Sequence, residues 1–288
     1  MKDEAGMPGS FAGLSLARPR VMGIINVTPD SFSDGGEALA ADDAIGRGRQ
    51  MLADGADILD VGGESTRPGA EPVDTATEIA RVVPVIEALA RAGALVSVDT
   101  RHAPVMRAAI AAGARVVNDV TALTGDPDSL AVLAASDVSV VLMHMQGEPG
   151  TMQDDPRYDD TAQEVFDYLK GRVAACERAG IARARIAVDP GIGFGKTVDH
   201  NLDILSRLDL YRDLGCPLLV GLSRKSFIAR LSRGEPPKGR LAGSIAAALA
   251  TLDKGVRLFR VHDVGETVQA FSVWQAIAAG RSQRVENK

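Results

Sequence analysis

The sequence predicts an α/β chain folded as a (β/α)8 TIM barrel, and three observations point there. Eight short apolar segments, six of them ending in a polar residue, recur along the chain with room for a helix between them. A glycine stands before six of them, placed to close the preceding helix in a left-handed turn. The turn after the first segment reads Asn26-Val27-Thr28-Pro29-Asp30, not the Gly-x-Gly-x-x-Gly that a doubly wound dinucleotide-binding sheet would place there.

Taken in order, the expected strands are Val21 to Asn26, Asp57 to Val61 after Gly55, Leu95 to Asp99 after Gly93, and Arg115 to Asn118 after Gly113. Val138 to His144 is entered through Ser136-Asp137 instead. Ile186 to Asp189 follows Gly180, Pro217 to Gly221 follows Gly215, and Val256 to His262 follows Gly255. Between them, Thr75-x-x-Glu78 reads as a capping box opening a helix through Leu89. The chain closes on a helix from Val264 to Ile277, with Val268, Phe271, Trp274 and Ile277 on one face. This gives one domain over residues 13–280, with residues 1–12 a flexible N-terminal tail and residues 281–288 a C-terminal tail.

Composition narrows the functional classes. Net charge is −6, and only 4% of residues are aromatic, so neither a basic face for phosphate backbones nor stacking platforms for bases are expected, and no nucleic-acid partner. No apolar stretch approaches a membrane span or a signal peptide. Cys176 and Cys216 stand alone, as reduced thiols in a cytoplasmic protein would. No His, Cys and carboxylate spacing suits a transition metal, and there is no Gly-x-Ser-x-Gly elbow.

A TIM barrel places its chemistry on the loops after its strands. The residues at those ends are Asn26, Glu64, Asp99, Asn118, His144, Asp189, Lys225 and the pair Arg260/His262, all polar. The richest stretch is Ile186-Ala187-Val188-Asp189-Pro190-Gly191-Ile192-Gly193-Phe194-Gly195-Lys196, where a buried carboxylate at a strand end could grip the amidine-like edge of a flat heterocycle; loop capping is its plainer use. Asp99 and Asn118 suit the same edge, and Lys225 a ring oxygen or nitrogen. Met143 and Phe194 offer apolar surface to a flat ring, with plain core packing as the alternative. Arg260 and His262 alternate on the last strand and face one side, where barrels hold phosphate; an Arg260–Asp263 surface pair is the bland alternative. Ser226 lies at a helix start that suits an anion. His144 is expected to pack, and His102 and His200 have no assigned role. The loops Val27 to Gly36 and Gly62 to Gly69 are long, polar and short of apolar anchors, so they are expected to move in the free protein.

The stretches MGIINVTPDSFSDGG, DVGGESTRPGA, VSVDT, VVNDV, VLMHMQGEPGTMQ, AVDPGIGFGKT, GLSRKSF and FRVHDV, in this order, resemble the dihydropteroate synthase family across about residues 14–280. The resemblance implies a (β/α)8 barrel that joins 6-hydroxymethyl-7,8-dihydropterin pyrophosphate to para-aminobenzoate, with Mg²⁺ as cofactor and a homodimeric assembly. It further implies that Thr66, Asp99, Asn118, Asp189 and Lys225 contact the pterin, that Asn26, Arg67, Arg260 and His262 hold pyrophosphate, with Asn26 also on the metal, and that Ser226 holds the para-aminobenzoate carboxylate. Asp99, Asp189 and Lys225 are then the catalytic set. Two rivals share the pterin carboxylates: a methyltransferase barrel acting on methyltetrahydrofolate, and a non-catalytic pterin binder. Release of pyrophosphate separates them.

Overall fold

The computed structural model describes residues 8–27, 36–65, 73–148 and 150–286. Eight parallel strands form one sheet: β1 (Arg20–Asn26), β2 (Ile58–Gly62), β3 (Val96–Asp99), β4 (Val116–Asp119), β5 (Ser139–Met143), β6 (Ile186–Asp189), β7 (Leu219–Val220) and β8 (Leu258–Val261). They are hydrogen-bonded in the order β6-β5-β4-β3-β2-β1-β8-β7. A parallel bridge between Val188 and Leu218 joins β6 to β7 and closes the ring. β7 has only two residues because Pro217 has no N–H to offer the ladder; its carbonyl accepts from Val188 N at 2.9 Å instead. The strand order is that of the TIM barrel expected from the sequence.

Helices wrap the ring: α1 (Gly36–Ala53), α2 (Thr75–Arg91), α3 (Ala103–Ala111), α4 (Ser129–Ala134), α5 (Thr161–Arg178), α6 (Val198–Ser206), α7 (Ser226–Leu231), α8 (Leu241–Leu252) and α9 (Val264–Glu286). The glycines at 55, 93, 113, 180, 215 and 255 all take φ between +62° and +108°, so the punctuation read in the sequence is the physical stop of each preceding helix. The larger core lies between strands and helices and includes Val21, Leu59, Val98, Val117, Val140, Val188 and Phe259. A smaller one fills the barrel floor. Met22, Ile58, Val116, Val141, Ala187, Leu219 and Leu258 meet there with Phe11 and Leu16, and Leu95 packs against them.

The floor corrects the N-terminal boundary. Residues 10 and 11, expected in a loose tail, form a strand (Ser10–Phe11) paired antiparallel with Leu14–Ser15. Ala12 and Gly13, at φ +49° and +82°, make the two-residue turn. Phe11 is 1% exposed; burying such a ring contributes roughly 1.5–3 kcal/mol. At the other end, residues 281–286, expected in a tail, continue α9, and Ile277, expected on its inner face, is 53% exposed. A 23-residue helix is about 35 Å long, far longer than the four-residue β8 it follows, so its last turns outrun the barrel. The capping box is also corrected. Asp74 caps α2, its side chain accepting from Thr77 N at 3.0 Å, while Glu78 turns into the core to meet His102 Nδ1 at 2.8 Å.

Candidate active site

Side chains alternate along a strand, so two residues above each floor position lies the next interior layer. That step leads to Asp60 on β2, Asn118 on β4, Asp189 on β6 and Arg260 on β8. A further two reach the rim, at Asn26, Asp99 and His262. The interior therefore changes from hydrocarbon to polar within one layer, at the C-terminal ends of the strands.

The polar layer is internally bonded. Arg260 Nε donates to Asp60 Oδ2 at 2.6 Å, and its Nη2 donates to Asp99 Oδ2 at 2.6 Å. Asn118 Nδ2 donates to the same Asp60 oxygen at 3.1 Å. Asp60 is wholly buried, and its Oδ1 meets no hydrogen-bond donor among the described residues. Burial pushes the Asp99 carboxyl up to about 7; Arg260 opposes this and Asp60 adds to it. The Arg260 guanidinium also loses water, yet Asp60 and Asp99 more than compensate and hold it above its ordinary value. The bland alternative for Arg260 fails: Asp263 pairs with Arg224 instead.

Asp189 is 5% exposed, and its Oδ1 accepts from Gly191 N at 2.7 Å. Burial raises its pKa against the pull of that N–H and of Lys225. Burial lowers Lys225 to about 8 while Asp189 holds it up. Its Nζ stands 3.9 Å from the centroid of the Phe194 ring, an ammonium over a π face. Met143 is buried at the end of β5. His262 Nδ1 lies 3.0 Å from Ser223 Oγ. Ser226 is the exposed first residue of α7. Asn26 ends β1 half-buried, its carbonyl accepting from Arg47 at 3.1 Å. Thr66 and Arg67 lie outside the described residues, as do residues 28–35, most of the first long loop. At the base of the second, Glu64 pairs with Arg101 at 3.0 Å and accepts from Val73 N at 3.3 Å.

The structure adds residues that the sequence reading passed over. Asp60 is one; its signal was a carboxylate inside the apolar run Ile58-Leu59-Asp60-Val61, too costly to bury unpaired. Lys196 is another. It is 3% exposed, and its Nζ donates to Gly191 O and Phe194 O at 3.0 Å each and lies 2.9 Å from His144 Nδ1. Burial lowers the lysine to about 7; burial and then Lys196 hold His144 near 2, so the histidine is a packed neutral ring, as expected. This cage clamps the loop after β6 onto the end of β5. The approach is close enough that a Cβ on Gly191, at φ +68°, would fall 1.9 Å from His144 O. Asp60, Asp99 and Asp189 thus face Arg260, Lys225 and Lys196, three carboxylates against three cations.

Among the described residues no three His, Cys, Asp or Glu side chains are grouped to hold a metal, and no helix is long and apolar enough to cross a membrane. A model of the family described as pterin binding enzyme matches residues 22–262. The Dihydropteroate synthase of Escherichia coli K12 is 47% identical over 275 residues, covering 95% of this chain and 97% of that protein. Dihydropteroate synthase of Xanthomonas albilineans, solved with 4-aminobenzoic acid, superposes with a TM-score of 0.87 at 50% identity, over 92% of this chain and 95% of that one. The same enzyme in complex with 7,8-dihydropteroate superposes at 0.84 with 47% identity, over 92% and 96%.

Proposed function

This chain belongs to the pterin binding enzyme family, and from that membership and the barrel mouth we infer the dihydropteroate synthase reaction. It joins 6-hydroxymethyl-7,8-dihydropterin pyrophosphate to para-aminobenzoate, giving 7,8-dihydropteroate and pyrophosphate in folate biosynthesis. The observation that carries the reading is the pair of carboxylates at strand ends, Asp189 buried and Asp99 with only 11% of its side chain exposed, set with Asn118 on β4 and Lys225 in the turn after β7. Asp189 and Asn118 hold the donor-rich edge of the pterin, Lys225 its polar ring atoms, and Met143 and Phe194 its faces. Thr66 completes that set.

The bond from the pterin CH₂ to pyrophosphate oxygen breaks, and its electron pair leaves with the pyrophosphate. The positive charge left on the pterin is stabilised by Asp99 and Asp189 in a site held away from water. Arg260, His262, Asn26 and Arg67 take up the charge on the departing group. Two of the three Arg260 nitrogens are already fixed by carboxylates, so its orientation is set before substrate arrives. The aniline nitrogen of para-aminobenzoate, its carboxylate held at Ser226, then forms the C–N bond and releases a proton. No covalent enzyme intermediate is required.

The donor set fits Mg²⁺ carried on the substrate. Among the described residues one carboxamide, Asn26, stands at the rim and no three His, Cys, Asp or Glu side chains are grouped to hold a metal, and Mg²⁺ prefers phosphate oxygens and water to an all-protein cage. When bound it neutralises pyrophosphate charge. We assign the assembly as a homodimer through α8 and α9. α8 is twelve residues without a charged side chain, and α9, packed beside it, leaves Val273 and Ile277 more than half exposed. Light scattering should then give about twice 30.1 kDa. Both cysteines are free and buried, which supports a cytoplasmic location.

The deciding assay mixes enzyme, Mg²⁺ and pterin pyrophosphate with and without para-aminobenzoate and measures pyrophosphate. Release that depends on para-aminobenzoate is expected. No release would place the chain with pterin binders of other chemistry.

A further inference from the structure

The turn between β7 and α7 carries Lys225 and Ser226, and it passes through a backbone conformation that L residues rarely adopt. Arg224 lies at φ +60°. An ordinary side chain is strained there and glycine is not, and strained residues persist where their surroundings over-determine them. Arg224 is held at its backbone N–H, its carbonyl and two of its guanidinium nitrogens. Its N–H donates to Ser244 Oγ at 2.9 Å, and its carbonyl accepts from Arg240 Nη1 at 2.9 Å. Its Nε donates to Asp263 Oδ2 at 3.0 Å, and its Nη2 donates to the other oxygen of the same carboxylate.

Asp263 follows His262 directly at the end of β8. One strained arginine therefore ties the turn that carries Lys225 and Ser226 to the strand end that carries Arg260 and His262. A second tie runs beside it, His262 N donating to Ser223 Oγ at 3.2 Å. The fold itself does not require this fork. β7 and β8 are already paired in register, Leu258 with Leu219 and Phe259 with Val220, and a glycine would meet the φ requirement without strain. What glycine cannot supply is a rigid two-pronged link across the mouth.

We propose that Arg224 is a positioning residue. Through Asp263 it sets the 223–226 turn against the end of β8, so that Lys225 and Ser226 meet the pterin and the para-aminobenzoate carboxylate while His262 faces the pyrophosphate. The inference rests on the dihydropteroate synthase reading and adds to it a residue that acts without touching substrate.

The test compares wild type with Arg224→Gly, which removes the fork and relieves the strain, and Asp263→Asn, which keeps the shape and removes the charge. KM for each substrate, kcat and Tm are measured for each. Both variants should raise the KM values on the order of 10-fold to 100-fold, as expected for groups displaced by a fraction of an ångström to an ångström. kcat should fall as well, because Lys225 is displaced from the pterin, while Tm should stay close to wild type. The double variant should match the singles, because both remove the same fork. Arg224→Lys should recover only part of the loss, since an ammonium cannot span both oxygens. Unchanged KM with a lowered Tm, or losses that multiply in the double variant, would overturn the role of Arg224 while leaving the reaction standing. A wild-type enzyme that releases no pyrophosphate would overturn the reaction, and this inference with it.

Discussion

Asp60 should control the pH at which the enzyme loses activity. Asp99 must be ionised to stabilise a cationic pterin, yet its pKa is raised to about 7 by burial, with the Asp60 charge as a contributor and Arg260 in opposition. A raised carboxylate pKa means that activity needing the anion is present above that pKa and falls as pH drops through it. Asp60 and Asp99 accept from two nitrogens of one guanidinium, each at 2.6 Å. With the carboxylates roughly 5 Å apart and an effective dielectric of about 20, their repulsion is ~3 kcal/mol, or about two pKa units. Asp60→Asn removes that repulsion, so the acid limb of kcat/KM for pterin pyrophosphate should move down by one to two pH units, roughly. The plateau should also fall, because Arg260 is then fixed by one carboxylate instead of two. Rate profiles from pH 5 to 9 on both proteins separate the effects, since the position of a limb does not depend on its height. A limb that stays in place, or moves up, would mean that Asp60 and Asp99 do not share Arg260 during turnover.

Three further outcomes are expected. Asp189→Asn should keep its circular dichroism spectrum and lose on the order of 10²–10³ in rate; turnover near wild type in the folded variant would remove Asp189 from the catalytic set. Arg260→Ala and His262→Ala should weaken pterin pyrophosphate far more than the free pterin alcohol in parallel titrations, and equal losses for the two ligands would contradict a pyrophosphate role. Lys196→Met takes the donor from the Phe194 carbonyl and the His144 nitrogen, while Gly191 O keeps Phe194 N, at about 1–3 kcal/mol for each acceptor left bare before the relief of no longer burying an ammonium, so urea unfolding should show a loss of about 2–4 kcal/mol. Because the folded Lys196 is lowered to about 7 and the unfolded one is not, the unfolded chain holds the proton more tightly between these limits. Wild-type stability should therefore rise from pH 7 to 9, and equal slopes in wild type and Lys196→Met would refute the buried cage.

The barrel and most of its rim were legible because their signals are local. A strand end, a helix-closing glycine and a two-residue alternation each show within a few positions, and the expected strand bounds differ from the observed ones by only a residue or two at most ends. What escaped depends on partners far off in sequence. The Ser10–Phe11 hairpin has too few residues for any periodicity, and only the assembled floor gives Phe11 a reason to be buried. Lys196 is held by backbone carbonyls, which every residue has. Glu78 matched a capping pattern three residues after Thr75, but its helix turned it toward His102, and Asp74 took the cap. Thr66 and Arg67 remain readings from the motif alone.

The hairpin at the barrel floor has a consequence for how the chain comes together. Phe11 precedes every barrel strand in sequence, but its seat is made by residues from β1 through to β8, where Leu258 lies near the other end of the chain. During synthesis it emerges first and has nowhere to go until the last strand is in place. Closing so distant a contact is the slow part of building such a topology, and it comes when the ring is complete. Until then the hairpin is an unanchored segment open to proteolysis, and afterwards its aromatic ring is shut away. Its sensitivity to cleavage thus reports whether a given molecule has finished its barrel.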